Sequence, residues 1–365
     1  MKGRGQKEDI MKRVLSLLVA FALIVGFMPS ADAATKELKV HFINVGQGDA
    51  ILIQAPGGKN MLVDGGPKSA SKHVVDFLKA KGVKKLDYVV ATHPDADHIG
   101  GLIEVLNTFP VSNFVDSGYV HTSQTYYDLL TLIDKKNIKF TVAEELDKLV
   151  LDPNMIIRVL YADENAKDSN GASIVLKATY NKVSFLLMGD ADTAIEDYIR
   201  GKYDVTATVL KNGHHGSNTS SSAAFISNVK PKVGILSYGK NNSYGHPHAA
   251  IEARLKNVGA KTYKTAVDCD ITVTTNGVKH SVSNSCGKPT AKPAATTKPA
   301  AKPAPKPVTK PSGNPSSGTY VIPGAPTVFK NCTELRKYYP SGVSSSHPAY
   351  ASKHDRDKDG WACER

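Results

Sequence analysis

Two imidazoles and two carboxylates fall within six residues of the stretch Thr92-His93-Pro94-Asp95-Ala96-Asp97-His98-Ile99-Gly100-Gly101, directly after the apolar run 86–91. Nitrogen and oxygen donors packed this tightly on a strand-delivered loop suit Zn²⁺ or Mn²⁺, and four of them can serve two adjacent ions. Further donors follow other apolar runs. Residues 183–188 read as a buried strand ending in Gly189-Asp190, the place for a carboxylate that bridges two ions. Thr208-Val209-Leu210 leads into Lys211-Asn212-Gly213-His214-His215-Gly216-Ser217, and 233–237 leads towards Tyr244-Gly245-His246-Pro247-His248. Polar loops at the ends of several strands are how α/β proteins assemble active sites. His41, His73, His121, His280 and His347 lack such neighbours and read as structural or surface groups.

Two more segments complete the pattern: Asn44-Val45-Gly46-Gln47-Gly48-Asp49-Ala50 and Leu62-Val63-Asp64-Gly65-Gly66. With these six motifs in order, the chain resembles the metallo-β-lactamase superfamily, and more closely the hydrolase domain of ComEC-type DNA-internalisation (competence) proteins, over about residues 37–284. The resemblance implies a four-layer αββα sandwich of the α/β class and two divalent ions, Zn or Mn. It places His93 and Asp95 on the first metal, Asp97 and His98 on the second, Asp190 between them, and Asp64 behind as the carboxylate that orients the metal loop. The last ligand of the second metal is open between His215 and His246. A Gly-His after the final core strand matches the closing motif better, which favours His246 and puts His215 at the substrate's edge or in reserve as the ligand.

The chain departs from the wider superfamily at two points. Position 95 is Asp where most members have His, a harder and more oxygen-rich site that shifts the expectation from Zn²⁺ towards Mn²⁺. The segment Asp168-Ser169-Asn170-Gly171-Ala172-Ser173 also has no imidazole where the superfamily takes another ligand for the first metal. That ion is then held weakly, or completed by water or substrate.

Paired cations lower the pKa of bound water from about 16 to near 7 and neutralise charge on phosphate oxygens, which suits attack on a phosphodiester. Asp97, Lys211, His215 and His248 are the expected catalytic residues, with Lys211 and His248 candidates for holding phosphate or protonating the leaving alkoxide. The expected function is a secreted metal-dependent phosphodiesterase, a nuclease on extracellular DNA. One alternative is hydrolysis of a small ester, lactam or cyclic nucleotide, since one bimetallic centre serves all of these. Another is a catalytically weak, calcium-dependent surface-binding protein. Gly46-Gln47-Gly48 lacks the further glycine of a dinucleotide loop, so no nucleotide cofactor is expected.

The elements that must position these residues are short. Strands are expected at 40–45, 50–54, 60–63, 88–91, 140–142, 156–161, 173–179 and 183–188, with helices near 70–80, 99–107, 123–135 and 249–256. Periodicity alone gives only an α/β class.

With 365 residues and 41% hydrophobic content, the chain can form one large domain plus extras. Residues 1–33 carry Lys12-Arg13, an apolar run and Ala31-Asp32-Ala33, the order of a secretory signal, with Met1 and Met11 both open as the start. Removal of that segment leaves no stable membrane insertion and an extracellular or wall-associated protein, expected to be a monomer. Four cysteines allow three connectivities; proximity and domain boundaries favour Cys269 with Cys286 and Cys332 with Cys363. Residues 287–327 form a Pro/Lys/Ala-rich linker that is expected to be disordered and extended. Its six lysines and a net +2 in the leader account for most of the formal +12 and leave about +4 for the folded parts, so charge argues little for DNA binding by the hydrolase. The linker suits contact with anionic cell-wall or cell-surface polymers.

Residues 328–365 are too few for a core without a staple or a metal. Asp355, Asp357 and Asp359 alternate before Gly360, the spacing that wraps oxygen ligands round Ca²⁺. This segment resembles the excalibur domain, an extracellular calcium-binding module, with Glu364 as the closing acid at loop position ten.

Overall fold

The computed structural model describes residues 37–286 and, in the C-terminal segment, 326–336, 339, 343–345, 347–355 and 361–363. The expected leader and residues 287–325 of the expected linker lie outside these residues, as do Asp357, Asp359 and Glu364.

The chain first lays down β1 (Leu38–Phe42), β2 (Ile51–Gln54), β3 (Asn60–Val63), α1 (Ser71–Ala80), β4 (Leu86–Val90), α2 (Ala96–Ile99), α3 (Leu102–Thr108), β5 (Val111–Asp116), α4 (Gln124–Lys135) and β6 (Lys139–Val142). Then come β7 (Lys148–Leu149), β8 (Met155–Tyr161), β9 (Val175–Tyr180), β10 (Val183–Leu187), α5 (Thr193–Lys202), β11 (Val209–Lys211), α6 (Ala223–Val229), β12 (Val233–Leu236), α7 (Ala249–Asn257) and β13 (Lys261–Lys264). The hairpin β14 (Ile271–Thr275) and β15 (His280–Asn284) closes the domain. One sheet has eight strands in the order β15-β14-β1-β2-β3-β4-β5-β6, and the other has seven, β13-β12-β11-β10-β9-β8-β7.

The central strands are apolar on both faces, as suits sheets that are covered twice. Ile51 and Ile53 of β2 meet Phe185 and Leu187 of β10 in the core between the sheets. Leu52 points the other way, into a layer with Val74 and Leu78 of α1 and Leu102 of α3. On the far side, Leu186 packs with Ile195 and Ile199 of α5, Phe225 of α6 and Leu255 of α7. The result is helix, sheet, sheet, helix, the expected αββα sandwich. β3, β4 and β5 run parallel, as do β10 through β13, so each sheet presents loops at the carboxyl ends of several strands.

Among the elements that differ from the sequence expectation are β5 and the helix near 99–107. β5 has no alternating pattern, since Ser112 and Asn113 interrupt it; pairing on both sides with β4 and β6 imposes the strand. The Asn113 amide donates to the Asp87 carbonyl at 2.8 Å, which satisfies the polar residue within the sheet. The helix expected near 99–107 is divided into α2 and α3 at Gly100-Gly101. A Cβ on Gly101 would lie 2.0 Å from the Gly65 carbonyl oxygen, so this close approach to the Asp64-Gly65-Gly66 turn requires glycine.

Cys269 and Cys286 are bonded, with Cα atoms 5.5 Å apart, at the open end of the β14–β15 hairpin. Cys332 and Cys363 are bonded in a separate small cluster with Phe329, Leu335, Tyr339, Val343 and Ala349. There Asp355 is buried and accepts the Tyr350 hydroxyl at 2.6 Å. Among the described residues no helix is long and apolar enough to cross a membrane.

Candidate metal centre

Asp64 follows β3 in a left-handed conformation, φ 58°, and its carboxylate organises the next strand's loop. One oxygen accepts the Thr92 N–H at 2.8 Å; the other accepts the Thr92 hydroxyl at 2.8 Å and lies 2.9 Å from His98 Nδ1. An ionised carboxylate only accepts, so His98 carries its hydrogen on Nδ1 and leaves Nε2 as a lone pair. The same logic fixes His93. With the Thr92 hydroxyl hydrogen committed to Asp64, His93 Nδ1 donates to Thr92 Oγ1 at 3.0 Å. His215 Nδ1 donates to the Ser237 carbonyl at 3.1 Å. Three buried imidazoles are thus anchored through Nδ1 and present Nε2.

Those nitrogens converge on Asp190, which stands just beyond β10. Its carboxylate oxygens lie 3.3 Å from His98 Nε2, 3.3 Å from His215 Nε2 and 3.9 Å from His93 Nε2. Asp97 reaches His215 Nε2 at 3.3 Å, and Asp95 stands 3.7 Å from His93 Nε2. Ligand atoms of Asp49, His98, Asp190 and His215, all buried, lie within 4.8 Å of one another. The first half of the centre is looser: Asp95 is about one-third exposed, and no imidazole joins it from 168–173, where Ser173 Oγ instead receives the Asp190 N–H at 3.1 Å.

This donor set fits a cation. His93 Nε2 and Asp49 Oδ1 are buried without a hydrogen bond, a cost that a coordinated ion removes. Burial opposes charge on His98 and His215, yet the Asp190 carboxylate, with Asp64 for His98 and Asp49 and Asp97 for His215, holds both pKa values well above the ordinary 6.5. Burial likewise opposes ionisation of Asp190, but His215 and His98 hold it well below the usual carboxylate range. The pocket therefore draws positive charge, and imidazoles that would otherwise take protons can give their lone pairs to a metal. His93 is already poised, because burial and then the charge of His98 keep its pKa low.

The backbone is shaped for this convergence. His214 and His215 sit consecutively in the left-handed region, φ 46° and 54°, a cost of roughly 1–2 kcal/mol each. Gly48, φ 118°, lets the β1–β2 loop touch the Asp97 carbonyl, which a Cβ would approach to 2.1 Å.

Several expected roles change. His215, not His246, stands in the buried four-residue cluster; His246 lies one ring farther out, 6.3 Å from His215 between centroids. Burial and then the neighbouring histidines lower the pKa of His246 to about 4. Lys211, expected to hold phosphate, is turned away from solvent. The apolar strand β11 buries it completely, and its Nζ sits 2.6 Å from Asp49 Oδ2 and 2.9 Å from the Asn212 carbonyl. Asp49 itself escaped sequence reasoning; the available signal was an acid closing a Gly-x-Gly turn between two apolar strands. His248 stands at the start of α7, 5.5 Å from the His246 ring, with Nδ1 buried and without a hydrogen bond.

The Metallo-beta-lactamase superfamily matches residues 43–240, more than half of the chain, and this chain belongs to that superfamily. Its C-terminal segment is an Excalibur calcium-binding domain, matched over residues 329–364. The chain is 31% identical over 252 residues to Competence protein ComA of Neisseria gonorrhoeae, covering 67% of this chain and 34% of that protein. It is 30% identical over 251 residues to ComE operon protein 3 of Bacillus subtilis (strain 168), covering 63% and 32%. The chain thus spans about a third of the length of these relatives. A 42-residue stretch is 71% identical to SPbeta prophage-derived endonuclease YokF of Bacillus subtilis (strain 168), covering 12% of this chain and 14% of that one.

Proposed function

We propose that this chain is an exported, metal-dependent phosphodiesterase that cleaves nucleic acid, DNA foremost. The observation that carries the reading is the convergence of three Nε2 atoms, from His93, His98 and His215, on the buried carboxylate of Asp190. When bound, two divalent ions, Zn or Mn, supply an acidified water and positive charge against phosphate oxygens. The chain's own part is positional. His93 and Asp95 would hold one ion, Asp97, His98 and His215 the other, and Asp190 would serve both. Asp64 orients His98, and His248, whose ring lies 5.5 Å from that of His246, is our candidate for handing a proton to the departing alkoxide. A relative named for competence, and a 42-residue stretch shared with a protein named as an endonuclease, support DNA as the substrate. The leader, the Lys/Pro linker and the Excalibur module, whose expected calcium ligands are Asp355, Asp357, Asp359 and Glu364, support a protein held at the cell surface or wall, which we propose to be a monomer.

The test is a cleavage gel paired with metal analysis. The purified chain, loaded with Mn²⁺, Zn²⁺ or Mg²⁺, is expected to degrade plasmid and single-stranded DNA. Intact nucleic acid in the presence of stoichiometric bound metal overturns the reading.

A further inference from the structure

The side of the centre made by His93 and Asp95 is one donor short of the side made by Asp97, His98 and His215, and the residue that stands beside it is His214. Its Nε2 lies 3.8 Å from Asp190 Oδ2, the same oxygen that His93 Nε2 approaches to 3.9 Å. Four imidazoles thus surround this one carboxylate, since His98 and His215 each approach it to 3.3 Å. His214 is 26% exposed and Asp95 31%, whereas His93 is fully buried, so this side of the centre is open to an ion from solvent.

The backbone holds this ring in place. The His214 N–H donates to the Gly189 carbonyl at 3.1 Å, which ties the residue to the turn that carries Asp190, and the Ser217 N–H donates to the His214 carbonyl at 2.7 Å. The Thr219 hydroxyl donates to Ser217 Oγ at 3.0 Å, so Thr219 Oγ1 receives His214 Nδ1–H, also at 3.0 Å, and Nε2 is the nitrogen turned to the centre. At 3.8 Å that nitrogen is too far from Asp190 for a hydrogen bond. A cation with bonds of about 2.1 Å at tetrahedral angles sets its donors roughly 3.4 Å apart. The approaches to Asp190, from 3.3 to 3.9 Å, bracket that spacing, and His93 Nε2 is buried without a hydrogen bond. Glycine takes φ 46°, ψ 48° without the Cβ penalty, yet an imidazole stands there. With His215 left-handed as well, the two consecutive rings turn apart, their planes 72° from each other and their centroids 6.0 Å apart, so neighbours in sequence can serve different ions.

We propose that His214 is the second imidazole of the first metal and stands in for the donor absent from 168–173. His93, Asp95 and His214 then hold that ion as Asp97, His98 and His215 hold the other, with Asp190 common to both. This rests on the two-ion reading above and deepens it: each ion has two imidazoles and one carboxylate of its own, so the first ion is retained by the chain before substrate arrives. His246 is not needed for either ion; its ring lies 5.8 Å beyond that of His214.

The metal-stripped full-length chain is titrated with Zn²⁺ against a chromophoric chelator, without nucleic acid and with excess Ca²⁺ present so that the C-terminal module is occupied. The wild-type chain is expected to take up two Zn²⁺. His214→Gly and His214→Asn both suit the left-handed backbone, and melting curves establish that they are folded. Each is expected to keep one ion at wild-type affinity and to hold the other roughly 100-fold more weakly, the upper end of what loss of an outer partner costs. His93→Ala is expected to weaken the same ion, with little further loss when His214→Gly is added, whereas His246→Ala keeps both ions. Two ions at wild-type affinity in the His214 variants, or a wild-type chain that takes up only one, overturns the assignment. A chain that holds two ions, loses one on change of His214 and still leaves DNA intact would instead overturn the phosphodiesterase reading and leave the assignment standing.

Discussion

Two buried imidazole environments in this chain differ in where the second nitrogen goes. His41, on β1, is 2% exposed and satisfied on both sides, with Nδ1 2.8 Å from Thr272 Oγ1 and Nε2 3.1 Å from Gln54 Oε1. Burial, then Lys81, push its pKa down to about 4, so it stays neutral and simply ties three strands together. His93, His98 and His215 are as deeply buried, but each commits only Nδ1 to the protein and turns Nε2 towards a shared carboxylate. Burial of histidine therefore says little about function. The unspent nitrogen says much.

The largest expected effect comes from removing the shared carboxylate. Asp190→Ala is expected to lower DNA cleavage by more than about 10³-fold, since the charge that holds the cations together is gone. Elemental analysis of the same variant should show loss of bound metal; retention of full metal with full activity would place the centre elsewhere.

Next in size is the buried pair beneath the cluster. Lys211→Met leaves Asp49 uncompensated at 1% exposure and is expected to cost about 3–5 kcal/mol in chemical denaturation. The double change Asp49→Asn with Lys211→Met should recover most of it. If Lys211→Met instead leaves stability intact and raises only the KM for DNA, the lysine faces substrate after all.

His41 gives the contrasting, metal-independent response. Below pH 6.5 the unfolded chain takes up a proton that the folded chain refuses until about pH 4, so stability falls as pH drops through that window, by about 3 kcal/mol in full. His41→Gln is expected to flatten that part of the stability profile while leaving metal content unchanged. An unaltered slope would mean that another group sets it.

The smallest effect tests how the tautomer is fixed. Asp64→Asn keeps the shape of the residue but weakens the hold on His98 Nδ1, and metal affinity should fall about 10–100-fold. Competition with a chelator measures it; unchanged affinity would reduce Asp64 to a packing role.

The contiguous part of the centre was legible in the sequence. His93, Asp95, Asp97 and His98 share one loop, and Asp190 follows an unbroken apolar strand, so local pattern alone locates them. Choosing His215 over His246 was not legible, because it depends on how far each loop projects from a different strand. The contact of Asp49 with Lys211 at 2.6 Å is not legible for the same reason: one residue lies on the β1–β2 loop and the other on β11 of the facing sheet. A lysine after Val209-Leu210 carries no local mark that it ends inside. The αββα layering was read from resemblance, while periodicity stopped at α/β; β5 was missed because its strand character is imposed by neighbours.

The Cys269–Cys286 bond has a mechanical meaning. Whatever tugs on the chain beyond Cys286 is met by a covalent shortcut to Cys269, so tension bypasses β14 and β15 altogether. β14 is zipped along the whole of β1, from Leu38 opposite Thr275 to Phe42 opposite Ile271, so the bond keeps that pairing out of the path of any load.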